Sequence, residues 1–193
     1  MRFSNREIKD LLFAWLMISL AFAILFSGLS FTSVFLISLI ISGLTAGIGF
    51  LFHELMHKYF AQKYGLKAEF HASYNMLFLA VLFSFFGFII AAPGAVMIYG
   101  NLTREKNGRV SLAGPMTNIV LAVLFLIPLL LFSLEGILEL FFSYGLMINS
   151  LLGLFNLIPV MPFDGSKIYV WNKGIYFISV LLAGGLFIGS FWV

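Results

Sequence analysis

Two histidines four residues apart with a glutamate beside the first, His53-Glu54-Leu55-Met56-His57, are the residues best suited to chemistry in this chain. On a helix, positions i and i+4 share a face, so both imidazoles can reach one ion. Glu54 projects about a quarter-turn away, where a carboxylate can hold a metal-bound water without occupying a ligand position. Zinc suits neutral imidazole plus carboxylate, and a catalytic zinc keeps one position open. With three histidines in 193 residues, the spacing arises by chance roughly once in 700 such compositions.

Two imidazoles and a water leave one ligand to find. The candidates are Asp164, His71, Glu69 and the glutamates Glu135 and Glu139. Asp164 follows a helix opened by Pro159 and Pro162 and precedes Gly165. Thiolate ligands are excluded because the chain has no cysteine.

The elements that must position these groups are membrane helices. Hydrophobic residues make up 62% of the chain and charged ones 10%, against about 25% charged in a soluble domain. From Leu11 to Phe52 there is no charged residue or histidine, a stretch about twice the roughly 20 residues that span a bilayer. An ionisable pair inside such a span is costly and marks function by default. Crossings are expected over about 11–30, Val34–Tyr59, Val110–Phe132, 137–158 and from Gly174 to the end. The apolar N-terminal run is too long for a signal-peptide core and reads as a retained helix.

The stretch 75–92, ending at Pro93-Gly94, is ambiguous. All 11 Lys and Arg fall in four clusters: 2–9, 58–67, 104–109 and 167–173. Cytoplasmic loops are rich in Lys and Arg, and all four clusters lie inside only if 75–92 dips in and returns. The expected fold is therefore an all-α polytopic membrane protein of five to six transmembrane helices with a small β-hairpin or re-entrant element. Its N-terminus faces the cytoplasm, and residues 1–193 form one domain. In the non-crossing arrangement His57 and Asp164 end at similar depth, which favours Asp164 as the third ligand. The net charge of +3 then reflects topology, and no nucleic-acid partner is expected.

Three blocks in order carry a resemblance: His53-Glu54-x-x-His57; Ala113-Gly114-Pro115-Met116-Thr117-Asn118; and Asn156-x-x-Pro159-x-x-Pro162-x-Asp164-Gly165. With their apolar frame, over about 40–170, they resemble the site-2 protease family of intramembrane zinc metalloproteases, here in a compact form without a PDZ or CBS domain. The resemblance implies one zinc per chain held by His53, His57 and Asp164. Glu54 is the implied acid/base, with Asn156 near the scissile carbonyl as a further catalytic group. It also implies a multi-pass protein of the cell membrane, its active site toward the cytoplasm, acting on peptide bonds in or near transmembrane segments of a membrane-protein substrate. Family members carry a membrane-embedded β-hairpin before the Gly-Pro block, and Pro93–Tyr99 resembles its edge strand. Gly94, Ala95, Val96 and Met97, with Asn118, are thus expected to touch substrate, and a proline at Met97 is expected to impair cleavage. Gly114 and Pro115 read chiefly as packing at the first turn of a helix, and Asn118 could also buttress a ligand. The competing reading is a zinc-binding membrane protein without hydrolysis, either a helix chaperone or a transporter.

Overall fold

The structure, a computed structural model, describes residues 1–30, 32–89 and 93–193. It is mostly helical, with one two-stranded sheet. Helix α1 (Asn5–Ser27) starts where the Ser4 side chain accepts the Glu7 amide, and stops at Gly28, whose φ of 68° suits glycine. Next come α2 (Ser33–Ser42), a π-helical turn (Gly43–Gly47) and α3 (Ile48–Lys63), which run as one helix of 31 residues. The π turn forms against Trp15 of α1, whose indole N–H donates to the Gly43 carbonyl at 3.0 Å. A side chain at Gly47 would run into that indole and Ser19, so glycine there allows close helix contact.

Strand β1 (Lys67–Ala72), helix α4 (Tyr74–Ser84) and strand β2 (Gly94–Tyr99) follow. The strands pair antiparallel, with Lys67 opposite Tyr99 and Ala72 opposite Gly94. The expected β element is therefore present, but its two strands are joined through α4 and not by a tight turn. At 11 residues α4 rises about 16 Å, half of a hydrocarbon core, and does not cross alone. The last three residues of the expected re-entrant stretch 75–92 lie outside the described residues. The segment from α3 to α5 leaves and returns at the same end of the bundle: His57, near the end of α3, bonds to Val110, near the start of α5.

Helix α5 (Arg104–Leu131) begins at a Thr103 cap that accepts the Lys106 amide. This start is six residues earlier than the expected span, and it moves Pro115 from the first turn into the helix interior. The first-turn reading of Gly114-Pro115 is thereby corrected: charged residues 104–109 made the first turn and a half look like a loop. Helix α6 (Gly136–Asn156) returns, α7 (Asp164–Trp171) is short, and α8 (Lys173–Gly189) closes the chain.

Among the described residues four helices are long and apolar enough to cross a membrane: Asn5–Ser27, Ser33–Lys63, Arg104–Leu131 and Gly136–Asn156. Helix α8, at 17 residues, falls short of the full span expected from Gly174 onward. Lipid tails are as apolar as leucine, so packing and small residues hold such helices together. Ala14, Ala46 and Ala183 are accordingly fully buried, while Leu36, Phe78, Leu130 and Leu181 point outward.

Candidate metal centre

Helix α3 presents His53 and His57 on one face, and α7 brings Asp164, its first residue, against them. The His57 Nε2 lies 2.9 Å from the Asp164 carboxylate and the His53 Nε2 3.4 Å from the same oxygen. Ligands about 2.0–2.1 Å from a tetrahedral zinc stand roughly 3.3 Å apart, so this donor set has the spacing of a zinc site. The other Asp164 oxygen accepts from Lys167 at 3.2 Å, leaving one oxygen for the histidines. His71 and Glu69 are not part of the cluster: both sit on β1, and Ser4 donates a hydrogen bond to Glu69.

The remaining imidazole nitrogens fix the tautomers. His57 Nδ1 meets the Val110 carbonyl at 2.8 Å, an acceptor only, so that nitrogen carries the proton. His53 Nδ1 meets Asn118 Oδ1 at 2.6 Å. The Asn118 amide cannot be turned round, because its NH2 faces two acceptors at 3.2 Å, the Gly49 carbonyl and Asn149 Oδ1. Asn149 in turn donates to the Gly145 carbonyl at 2.9 Å. Both Nε2 lone pairs therefore point into the cluster, the arrangement that outer hydrogen bonds enforce at metal sites. Asn118 is fully buried and both its amide hydrogens are taken, so its partners are His53 and the neighbouring helices.

Gly114 faces the open side of the pair. A Cβ there would stand 2.5 Å from His53 Nε2 and closer still to His57 Nε2. The helix backbone is thus as near the ligand atoms as it can be, and only glycine leaves the coordination space clear.

A Methanocaldococcus jannaschii protein, provisionally named a zinc metalloprotease, is 45% identical over 195 aligned positions, covering 99% of this chain and 98% of the relative. The chain belongs to that zinc metalloprotease family. A second zinc metalloprotease of the same organism is 31% identical over 123 residues, 63% of this chain and 31% of its own length. A Bacillus subtilis (strain 168) protein, also provisionally so named, is 32% identical over 143 residues, 65% of each chain. No family model matches the chain, and no solved structure matches it.

For a zinc metalloprotease the surroundings are informative. The metal cluster opens on a cavity of about 890 Å³ lined by apolar residues of α1, α4 and α6 together with β2, Asn156 and Lys167. Glu54 is buried beside His53, with the Val96 backbone N–H directed at its carboxylate. Asn156 gives one amide hydrogen to the Leu152 carbonyl at 2.9 Å and stands on the cavity wall. Gly94, Ala95 and Val96 also line the cavity.

The register determines which strand atoms are free. Phe70 and Ala72 turn their N–H groups away from β2, to Glu7 and Asp10, so Glu69 and His71 bond β2 at Met97 and Ala95. The outward groups of β2 are then those of Gly94, Val96 and Ile98, of which the Val96 N–H is directed at Glu54. Met97 bonds within the sheet. A proline at Met97 would break the ladder itself, and Ile98 is the position that tests the open edge.

Sequence reasoning missed Asn149, Glu7 and Asp10. A lone asparagine in an apolar helix was the available signal for the first. The acidic pair was overlooked among the basic residues Arg2, Arg6 and Lys9.

Proposed function

We propose that this chain is an intramembrane zinc metalloprotease of the site-2 type, cutting peptide bonds in or near transmembrane segments of membrane proteins. The observation that carries the reading is the cavity: the metal cluster, Glu54 and an open strand edge share one chamber walled by helices long and apolar enough to span a bilayer.

His53, His57 and Asp164 would hold one zinc, which when bound polarises a carbonyl and acidifies water. Glu54 takes the proton of the attacking water and delivers it to the departing amine. Its burial excludes bulk water, so the proton stays with the reacting atoms. Asn156, with one amide hydrogen uncommitted among the described residues, donates to the carbonyl oxygen as charge develops there.

A transmembrane helix hides its carbonyls in internal hydrogen bonds and must unwind before it is cut. The outward groups of Gly94 and Ile98, with the Val96 carbonyl, replace those bonds by strand addition. The four basic clusters favour an active site toward the cytoplasm, in a multi-pass protein of the cell membrane in which α8, shorter than the other spans, makes the fifth crossing. The partners are a transmembrane substrate and the surrounding lipid.

The test is cleavage, by protein purified in detergent and returned to lipid vesicles, of single-span proteins carrying helix-breaking residues. Cleavage that requires zinc and disappears in Glu54→Gln supports the reading. Zinc-dependent cleavage of soluble peptides alone, with vesicle-embedded spans left intact, would overturn the intramembrane part.

A further inference from the structure

A two-stranded sheet has two edges, and either can take an extended segment. Only one faces Glu54. The other, the outer edge of β1, is closed by side chains. Phe70 N–H donates to Glu7 at 2.9 Å and Ala72 N–H to Asp10 at 3.2 Å. The Ala68 carbonyl accepts from Gln62 at 3.4 Å. Asp10 also accepts from the Tyr74 hydroxyl at 2.5 Å, and Glu7 is paired with Lys58. Lys58 directly follows the ligand His57 and is itself 1% exposed.

Burying carboxylates at the start of a membrane helix is costly, and apolar residues would pack α1 at less expense. What carboxylates supply and leucine cannot is a pair of acceptors for the edge amides. Glu7 joins three elements through one carboxylate: α1, the residue after the second metal ligand, and β1.

We propose that Glu7 and Asp10 are positioning residues that close the non-productive edge of the sheet and hold the open edge of β2 at its working distance from the metal cluster. The inference rests on the strand-addition reading above. Asp10 is the cleaner test, since removing Glu7 would strand the buried Lys58 charge.

The experiment compares two probes on the zinc-loaded, full-length protein in detergent. Acetohydroxamate takes only the metal. A peptide hydroxamate with an extended leucine–alanine tail takes the metal and the strand. Asp10→Ala is expected to weaken the peptide hydroxamate about tenfold, leave acetohydroxamate within twofold, and keep the zinc content. Amide hydrogen exchange should quicken at residues 70–72 and 94–98, a readout independent of turnover. Asp10→Asn, which keeps one acceptor oxygen, should recover part of the loss. Tyr74→Phe, which removes only the hydroxyl, covers the case in which Asp10→Ala does not fold, and should show the same pattern more weakly. Wild-type affinity and exchange in these variants, while Ile98→Pro loses the advantage of the peptide tail, would overturn the clamp alone. A peptide tail with no advantage in wild-type protein would overturn strand addition, and the clamp with it.

Discussion

Replacing Asn118 by alanine tests whether the metal site depends on a residue that does not touch the metal. The substitution orphans two buried groups, the His53 Nδ1–H and Asn149 Oδ1; the Gly49 carbonyl still has its helical partner. Each unsatisfied group costs about 1–3 kcal/mol, so the fold should lose about 2–6 kcal/mol. Only the His53 share reaches the zinc equilibrium, because that imidazole is no longer held with its lone pair on Nε2. A tenfold loss corresponds to about 1.4 kcal/mol, so zinc affinity should fall about 10- to 100-fold. Competition against a chromophoric chelator in detergent reads this directly, with far-UV circular dichroism confirming that the helices persist. Asn149→Ala removes only one partner of Asn118 and should cost less, about threefold to tenfold. Zinc affinity within twofold of wild type in a folded Asn118→Ala protein would refute the tautomer argument.

Gly114→Ala should yield a folded protein with little or no zinc by elemental analysis, since its methyl group would enter the space of both Nε2 atoms; a full zinc complement would mean that α5 can retreat. Glu54→Gln should keep its zinc and lose about 10²- to 10⁴-fold in turnover, whereas loss of zinc would make Glu54 a ligand. Zinc at 1,000 times its Kd should stabilise the wild-type chain by about 4 kcal/mol, seen as a raised thermal midpoint, and Asp164→Ala should show little of that shift. Trp15→Phe removes the hydrogen bond to the π turn and should lower stability by about 1 kcal/mol; an unchanged midpoint would show that the turn stands without it.

How far the site can be read from sequence depends on how local each interaction is. The His53–His57 pair is legible because helical periodicity alone brings the imidazoles together. Asp164 is legible at one remove: charge clusters suggest the depth of each helix end, and the prolines mark where α6 opens. Strand β1 was overlooked although Lys67-Ala68-Glu69-Phe70-His71-Ala72 alternates polar with apolar residues. Six residues of alternation between two strongly apolar runs read easily as a charged loop. The orientation of β2 was not legible, because which amides face outward depends on how it pairs with β1. The same holds for Asn118, whose hydrogen bond to His53 Nδ1 depends on Gly49 and Asn149 fixing its amide.

Hydrolysis consumes one water for every bond cut, and if this chain cuts within a bilayer, as proposed, water is the scarcer reactant. Pro115 has no N–H, so the Ser111 carbonyl one turn earlier cannot receive the helical bond that residue 115 would otherwise supply. That acceptor belongs to a residue lining the cavity, and Asn107, Asn156 and Lys167 line it too. On the intramembrane reading proposed above, the proline in α5 thus leaves an extra hydrogen-bond acceptor on a residue of the cavity wall, one to which the second reactant can bond.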